Sequence, residues 1–243
     1  MEQYKSKRII AINGGYKGRA GYSHFLIEKL FDGAKKADAV CEEILLAEVV
    51  DLNLVLNKLK NADIIIYATP VYVFGISGLM KVFMDKISTI KHSKNLQLSN
   101  TGLFLHYTDD IFSKPFITLI SHDNFAKQST KQVLNHFKAF SKFMNVPHIG
   151  SIVRSSGRIS GNGESYVKES QYPGIKKSYI AIEKAGMELV INGKINKRTE
   201  KLAAKSFLHN FSFNFGKQLD EISNYFNVSF IKSYKGEAYG QIA

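Results

Sequence analysis

The sequence predicts an α/β domain with a doubly wound, five-stranded parallel sheet of strand order 2-1-3-4-5. Short apolar runs alternate with longer segments whose apolar residues recur at helical spacing, which is the pattern of strands joined by crossover helices. The first run ends in Gly14-Gly15 and the third in Thr69-Pro70, as strands that open into loops do. We therefore expect the chemistry of the chain at the carboxyl ends of these strands.

Five segments are predicted as strands and five as helices. The strands are residues 8–13, 40–46, 63–68, 116–121 and 148–153. The helices are residues 22–36, 52–59, 78–90 and 129–144, with a last helix that is complete by about residue 192. The third strand is rich in β-branched residues, so we expect it to be buried on both faces and stopped by Thr69-Pro70. Ser23 is the expected N-cap of the first helix.

Three segments lie outside this minimal scheme. Residues 99–113 contain a second apolar run and are interpreted as an insertion, and residues 155–174 have the Gly, Ser and Asn content of a long loop. The tail after Lys194 carries too many aromatic residues to be disordered. The sequence thus predicts one domain over residues 1–192 and a mainly helical extension over residues 193–243, packed on the domain or on a partner subunit.

Composition limits the classes of partner. The net charge is +12, but the lysines are spread along the chain without a dense basic run, so we expect anionic cofactors and no specific nucleic acid. Cys41 is the only cysteine, which excludes an internal disulfide framework. No apolar run reaches the roughly 18 residues of a membrane span. The polar N-terminus shows no signal segment, which predicts a cytoplasmic protein.

The loop after the first strand, residues 13–23, has the composition of an anion-binding turn. Its glycines let backbone amides approach an anion closely, and it leads into a helix start whose N–H groups and dipole favour phosphate. Ser23 adds a hydroxyl, and Lys17 and Arg19 add positive charge. The glycine spacing excludes the G-x-G-x-x-G fingerprint, and no Gly-Lys-Ser/Thr follows, which excludes a Walker A loop.

The loop after the third strand, residues 69–78, has the composition of a wall for a flat ring. A proline and the aromatic residues Tyr72 and Phe74 precede a Gly-x-Ser-Gly stretch that opens the next helix. An amphipathic ring system needs apolar or aromatic faces for stacking and backbone N–H groups at its polar edge. In the predicted strand order this loop meets the first one at the point where the order reverses.

Together the two loops resemble those of the NADPH-dependent FMN reductase and iron–sulfur flavoprotein family of flavodoxin-like oxidoreductases. Gly21-Tyr22-Ser23 occupies the place of the triplet that opens the first helix, and Pro70-Val71-Tyr72 followed by residues 77–85 (SGLMKVFMD) matches the second family motif. The resemblance covers residues 8–153. Gly15-Tyr16 stands where Ser-Pro is usual in the family, and residues 47–54 lack the cysteines of the iron–sulfur members, which rules out a cluster.

The resemblance implies a flavodoxin-like domain that binds FMN, takes electrons from NAD(P)H and passes them to a small acceptor such as a quinone, a flavin, or an azo or nitro compound. It also implies a homodimer. The residues implied around the FMN phosphate are Asn13, Gly15, Lys17, Gly21, Tyr22 and Ser23. Those implied along the isoalloxazine are Pro70, Val71, Tyr72, Val73, Phe74 and Gly75, with Ser121 and the loop to residue 125 closing the other side of the ring.

Two alternative functions remain open from the sequence. One is an electron carrier of the flavodoxin type; the resemblance implies that such carriers are usually acidic and shorter, which a chain of 243 residues with a net charge of +12 does not fit. The other is a flavin-free scaffold of the same fold. No acid, base or nucleophile is required when the cofactor carries the chemistry, so no catalytic residue is assigned. Adjacent Ser121-His122-Asp123 does not make a triad, because consecutive residues rarely converge on one point. The scattered histidines form no ligand set, so no metal is expected.

Overall fold

The computed structural model describes residues 6–49, 51–88, 96–98, 102, 104–106, 114–122, 128–155 and 173–205. Its strands are β1 (Arg8–Asn13), β2 (Val40–Leu45), β3 (Ile64–Tyr72), β4 (Gly75–Ile76), β5 (Leu96–Leu98), β6 (Phe104–His106), β7 (Phe116–His122) and β8 (His148–Ser155). Its α-helices are α1 (Tyr22–Lys35), α2 (Leu52–Lys60), α3 (Gly78–Ser88), α4 (Gln128–Met144), α5 (Pro173–Asn192) and α6 (Lys197–Ala203), and a short 3₁₀ helix spans Gly18–Ala20.

Five parallel strands form the central sheet in the order β2-β1-β3-β7-β8, which confirms the predicted order 2-1-3-4-5. Side chains alternate across β1, so that Ile9 and Ala11 join one core while Ile10 and Ile12 join the other. The first core lies against α1 and α5, and the second lies against α2, α3 and α4. Two buried faces explain why the central strands are apolar throughout and not alternating.

Strand β3 corrects the expectation that Thr69-Pro70 stops the third strand. The strand runs on to Tyr72 because β1 ends beside Ala68, so no neighbour on that side needs an N–H from Pro70. On its other side Pro70 still lies opposite Ser121 of β7. The chain then turns through Val73 and Phe74 and returns as β4, antiparallel to the end of β3.

The start of α1 corrects a second expectation. Gly21 is the N-cap, and no side chain among the described residues caps this helix. Ser23 lies inside the first turn, where its hydroxyl oxygen is 3.0 Å from that of Ser121. The serine therefore joins the helix to the sheet. Helix α2, by contrast, has a side-chain cap, because Asp51 accepts from the backbone N–H of Asn53 over 2.8 Å.

Helices α1 and α5 touch through two glycines. A Cβ atom on Gly33 would collide with the backbone carbonyl of Glu183, and one on Gly186 would collide with that of Leu30. Each helix thus presents a glycine to the backbone of the other at the point of closest approach. This contact holds the helix that opens at the first loop firmly against the helix that follows β8.

The segments outside the minimal scheme are partly described. Within the predicted insertion over residues 99–113 lies β6, which pairs antiparallel with β5 just before the insertion. Of the predicted loop over residues 155–174, Ser155 ends β8, Pro173 begins α5, and residues 156–172 lie outside the described residues. Helix α6 packs on α5, since Thr199 donates its hydroxyl to Glu188 over 2.8 Å. The rest of the tail lies outside the description, and the division at residue 192 stays a prediction. Within the described residues, no helix combines the length and apolar character that crossing a bilayer requires.

Candidate functional site

The loops after β1 and β3 meet at the point where the strand order reverses. The backbone N–H of Gly14 donates to the carbonyl of Ala68 over 2.8 Å, which continues the pairing of the two strands into their loops. A Cβ atom on Gly14 would lie 2.7 Å from the hydroxyl oxygen of Ser77 and 2.9 Å from Cβ of Met80. Only glycine allows the first loop to approach the start of α3 this closely.

A chain of hydrogen bonds beneath the first loop fixes its shape. The Asn13 side chain is fully buried, its Oδ1 accepting from the backbone N–H of Gly15 over 2.8 Å. Its Nδ2 donates to one carboxylate oxygen of Glu43 over 2.8 Å, and the other carboxylate oxygen lies 2.5 Å from Nδ1 of His24. Asn13 therefore shapes the loop from below and does not line the space above it.

One cleft opens above the two loops and the end of β7. Its lining residues are Gly15, Lys17, Ala20, Gly21, Tyr22, Ser23, Pro70, Val71, Tyr72, Ser121 and His122. The structure thus brings together all of the predicted site residues except Asn13, Val73, Phe74 and Gly75. The predicted closing loop continues past His122 into residues that lie outside the description. Which of these residues contact a ligand stays a prediction.

The end of the cleft at α1 suits an anion. The helix begins at Tyr22 without a side-chain cap and has no acidic residue in its first turn, so its dipole favours negative charge there. Lys17 lines the same end and is exposed. The hydroxyls of Ser23 and Ser121, 3.0 Å apart, lie at the floor between helix and sheet. A phosphate group is the anion that such a helix start commonly binds.

The other end of the cleft is apolar and is built by the β3–β4 hairpin. Pro70, Val71 and Tyr72 line it, and the Tyr72 ring lies 5.9 Å from the ring of Tyr16 in the first loop. The loop is anchored from below because buried Thr69 accepts from the backbone N–H of Ser77 over 2.9 Å. The site therefore joins an anion-binding end to an apolar wall.

The hairpin tip carries local strain. Val73 and Phe74 both have positive φ, 47° and 62°, the combination that a two-residue turn of type I′ requires. Asn-Gly is the preferred sequence for such a turn, and a β-branched valine with positive φ is an outlier. Both side chains are exposed, Val73 at 96 %, and they lie outside the lining of the cleft.

Two polar groups at the back of the site have unmatched hydrogen-bonding atoms. Nδ1 of buried His122 and Nε and Nη2 of fully buried Arg154 have no hydrogen-bond partner among the described residues. Burial, reinforced by the Arg154 charge, lowers the pKa of His122 to about 4, so the ring is neutral near pH 7. Burial raises the pKa of Tyr22 well above its ordinary value, and the Arg154 charge opposes that shift.

Sequence reasoning missed several residues that organise this site. Glu43 and Arg154 lie on β2 and β8, far from the two loops in sequence, and no local pattern points to them. His122 lines the cleft and lies within the segment from Ser121 to residue 125 that the resemblance implies beside the ring. His24, Glu28 and Glu43 place possible metal ligands within 4.8 Å of one another, but the Glu43 oxygens already bind Asn13 and His24. The ligand atoms of His24 and Glu43 are thus already engaged with each other or with Asn13.

Comparison with solved structures shows the fold. An FMN-dependent NADH-azoreductase from Bacillus anthracis, solved with FMN, is 13 % identical with a TM-score of 0.55, covering 76 % of this chain and 100 % of its own. The Trp repressor binding protein from Bacillus subtilis is 21 % identical with a TM-score of 0.50, covering 75 % and 97 %. An NADPH-quinone reductase from P. pentosaceus is 12 % identical with a TM-score of 0.50, covering 77 % and 99 %. No curated protein sequence matches.

The family of the chain is shown by a sequence match over the segment that forms the parallel sheet. The NADPH-dependent FMN reductase family matches residues 8–151, which run from β1 into β8 and contain both loops of the cleft. This match confirms the resemblance and the predicted cofactors. The structure fits them, because an uncapped helix start with an adjacent lysine suits a phosphate and the Pro70–Tyr72 wall suits a ring. The chain belongs to the NADPH-dependent FMN reductase family, which makes it a flavin-dependent oxidoreductase with FMN as cofactor and NAD(P)H as electron donor.

Proposed function

We propose that this protein binds FMN in the cleft and uses NAD(P)H to reduce a small organic acceptor such as a quinone, a flavin, or an azo or nitro compound. The observation that carries the proposal is the pairing of an uncapped, basic helix start with an apolar wall in one cleft, at the reversal point of the sheet. Doubly wound domains bind their ligands at that point.

The anion-binding end supports a phosphate contact. The α1 dipole, the Lys17 charge and the Ser23 hydroxyl all favour a dianion at the start of the helix. Asn13 keeps the loop in this shape by accepting from Gly15, and Glu43 in turn orients the Asn13 amide. We assign the residues Gly15, Lys17, Gly21, Tyr22 and Ser23 to the phosphate end.

The apolar end supports a ring contact. Pro70, Val71 and Tyr72 offer a flat wall, and Tyr16 supports the Tyr72 ring from the first loop. His122 and Ser121, at the end of β7, line the cleft beside this wall. When bound there, FMN supplies the electron-transfer chemistry between the nucleotide and the acceptor. The residues of this chain orient the ring and exclude water from one of its faces, and none of them is assigned as an acid or a base.

The proposal includes a homodimer. Val73, Phe74 and Tyr16 are exposed apolar or aromatic side chains at the rim of the cleft, and a second copy would cover them. Light scattering after gel filtration tests this part, and a monomer at micromolar concentration would exclude it. A cytoplasmic location without a specific nucleic-acid or membrane partner also belongs to the proposal, as the sequence predicts.

The first test is the visible absorption spectrum of the purified protein before and after addition of FMN. Flavin bands that remain with the protein through gel filtration support the cleft as a flavin site. The charge-reversal variant Lys17→Glu is expected to weaken FMN binding by about tenfold, because it places a carboxylate beside the phosphate end. Lys201→Glu makes the same change on the exposed face of α6 and should leave FMN binding unaltered.

The second test separates an enzyme from an electron carrier. Anaerobic addition of NADH or NADPH to the flavin-loaded protein should bleach the flavin bands within seconds, and a quinone or azo dye should restore them. A protein that retains flavin but reacts with neither nucleotide would be a carrier. A protein that does not retain FMN would have only a scaffold or binding role.

A further inference from the structure

The Arg154 side chain lies at the end of β8, and none of the described residues balances its positive charge. It is 0 % exposed. Its Nη1 donates to the backbone carbonyl of Lys205 over 2.8 Å, and its guanidinium lies 5.9 Å from the centre of the Tyr179 ring. Among the described residues, Nε and Nη2 have no hydrogen-bond partner and no carboxylate pairs with the guanidinium. The groups that Arg154 does contact, the Lys205 carbonyl and the Tyr22 and Tyr179 side chains, carry no negative charge. A buried cation without an anionic partner is costly unless a ligand supplies the opposite charge.

The position of Arg154 connects it to the anion-binding end of the cleft. Arg154 lies directly opposite Ser121 in the pairing of β7 with β8, so both side chains emerge on the same face of the sheet. On that face the Ser121 hydroxyl meets Ser23 in the first turn of α1. The guanidinium charge acts on Tyr22 and on His122, and both of these residues line the cleft.

Three positive features therefore converge on one end of the cleft. The start of α1 and Lys17 lie at its edge, Arg154 is hydrogen-bonded to Tyr22, and its charge also acts on His122. Glu43, the carboxylate on β2 beneath the first loop, is already bonded to Asn13 and His24, so it does not balance the arginine. A helix start with one surface lysine suffices for a phosphate, whereas a further buried guanidinium favours a doubly charged group.

We propose that Arg154 is the buried positive pole of a subsite for a phosphate monoester dianion at the α1 end of the cleft. This inference rests on the proposed function and deepens it. Two ligands of the family chemistry carry such a group, the flavin mononucleotide and the 2′-phosphate of NADPH. The experiment below distinguishes these two sources.

The variants are chosen so that the fold is preserved. Arg154→Met keeps most of the side-chain volume and removes the charge, and such replacements of buried charges are often neutral or stabilising. The Lys205 carbonyl stays bonded in this variant, because the Ser178 hydroxyl donates to it over 3.0 Å. Arg154→Lys retains the charge. Arg198→Met is the matched control, since it removes an exposed arginine from α6.

The first measurement uses inorganic phosphate and the flavin-free protein. Phosphate should raise the melting temperature of the wild type, of R198M and, to a smaller extent, of R154K, because it binds only the folded state. It should not raise that of R154M. Without phosphate, R154M should melt at or above the wild-type temperature. A phosphate effect of equal size in R154M and the wild type would contradict the subsite.

The second measurement compares ligands with and without the phosphate. In R154M the dissociation constant for FMN should increase by about tenfold, as expected when a nearby buried positive charge is removed, while that for riboflavin stays unchanged. If FMN binding is instead unchanged and the preference for NADPH over NADH falls by about tenfold, the nucleotide is the source of the phosphate. Equal weakening of FMN and riboflavin would show that Arg154 is only structural and would overturn the proposal.

The outcomes for the subsite and for the proposed function are separable. A wild type that binds neither flavin but is stabilised by phosphate in an Arg154-dependent way would retain the subsite and contradict the function. A wild type that binds FMN and riboflavin equally, with R154M unchanged, would retain the function and contradict the subsite.

Discussion

Asn13 and Glu43 form a 2.8 Å hydrogen bond that joins the end of β1 to the middle of β2. The same Asn13 side chain accepts from the backbone N–H of Gly15, so a carboxylate on the neighbouring strand sets the geometry of the first loop. Glu43 does not line the cleft. It orients the amide that in turn positions the loop.

Replacement of Glu43 tests this relationship. Glu43→Leu should lower the free energy of unfolding by about 1–3 kcal/mol, because the buried Nδ2 of Asn13 loses its acceptor. FMN binding should weaken as the loop loses its fixed shape. Glu43→Gln keeps an acceptor oxygen and should recover most of both properties, as measured by urea unfolding and flavin titration. Glu42→Gln is the control, since the Glu42–Lys58 ion pair is half-exposed and contributes about 0–1 kcal/mol. Equal losses in E43Q and E43L would contradict the positioning role.

The positive φ of Val73 predicts a stabilising substitution. Val73→Asn should raise the free energy of unfolding by about 1 kcal/mol, because asparagine tolerates the left-handed region and valine does not. Little burial is lost, since Val73 is 96 % exposed. Urea denaturation of the flavin-free protein measures the effect. Val82→Asn is the control: this valine is exposed on α3, where the two residues have similar helix propensity. No gain in V73N would mean that the turn relaxes without cost.

The low pKa of His122 predicts a loss of stability in mild acid. Its pKa is about 4 in the folded protein, against an ordinary value near 6.5. Between these values the unfolded chain binds a proton that the folded protein does not, so the stability present above pH 6.5 falls as the pH drops towards 4. His122→Asn should therefore lose less stability than the wild type between about pH 7 and about pH 5, as measured by urea unfolding at each pH. Parallel curves for the two proteins would show that the folded state also binds the proton.

The contact between α1 and α5 predicts that its glycines cannot be replaced. Gly33→Ala and Gly186→Ala should each lower the free energy of unfolding by about 1–3 kcal/mol or more, because a methyl group has no room against the opposing backbone. Helix propensity alone would favour alanine by up to about 1 kcal/mol, so the expected sign is opposite to that of an ordinary helix position. Asn57→Ala on the exposed face of α2 provides that ordinary position. Thermal unfolding of the three variants decides between the two effects.

The architecture was predictable because it depends on local patterns. The apolar runs of β1, β3 and β7 and the glycine-rich first loop can be read without knowledge of their neighbours. The end of β3 could not be predicted in this way, because whether Pro70 interrupts the strand depends on where β1 ends beside it. The cap of α1 was wrong for a similar reason: Ser23 meets Ser121, a residue distant in sequence.

The site was predictable only as far as its loops. Gly15, Lys17, Tyr22, Pro70 and Tyr72 lie in the two loops that the sequence marks as unusual, and the structure places them in one cleft. Arg154 shows the limit. Arginine is ordinarily an exposed residue, so only the tertiary structure reveals that this one is buried beside Tyr179 and hydrogen-bonded to Tyr22.

The glycine contact between α1 and α5 also determines how far a ligand bound at the first loop changes the amide hydrogen exchange of the protein. With no side chains between the backbones at Gly33 and Gly186, α1 and α5 cannot open independently, and the two helices should exchange their amide hydrogens as one cooperative unit. A ligand that binds at the first turn of α1 should then slow deuterium uptake along α5 as well. Deuterium uptake of α5 peptides, measured by mass spectrometry, would then report whether the cleft is occupied. The measurement needs no optical signal from the ligand.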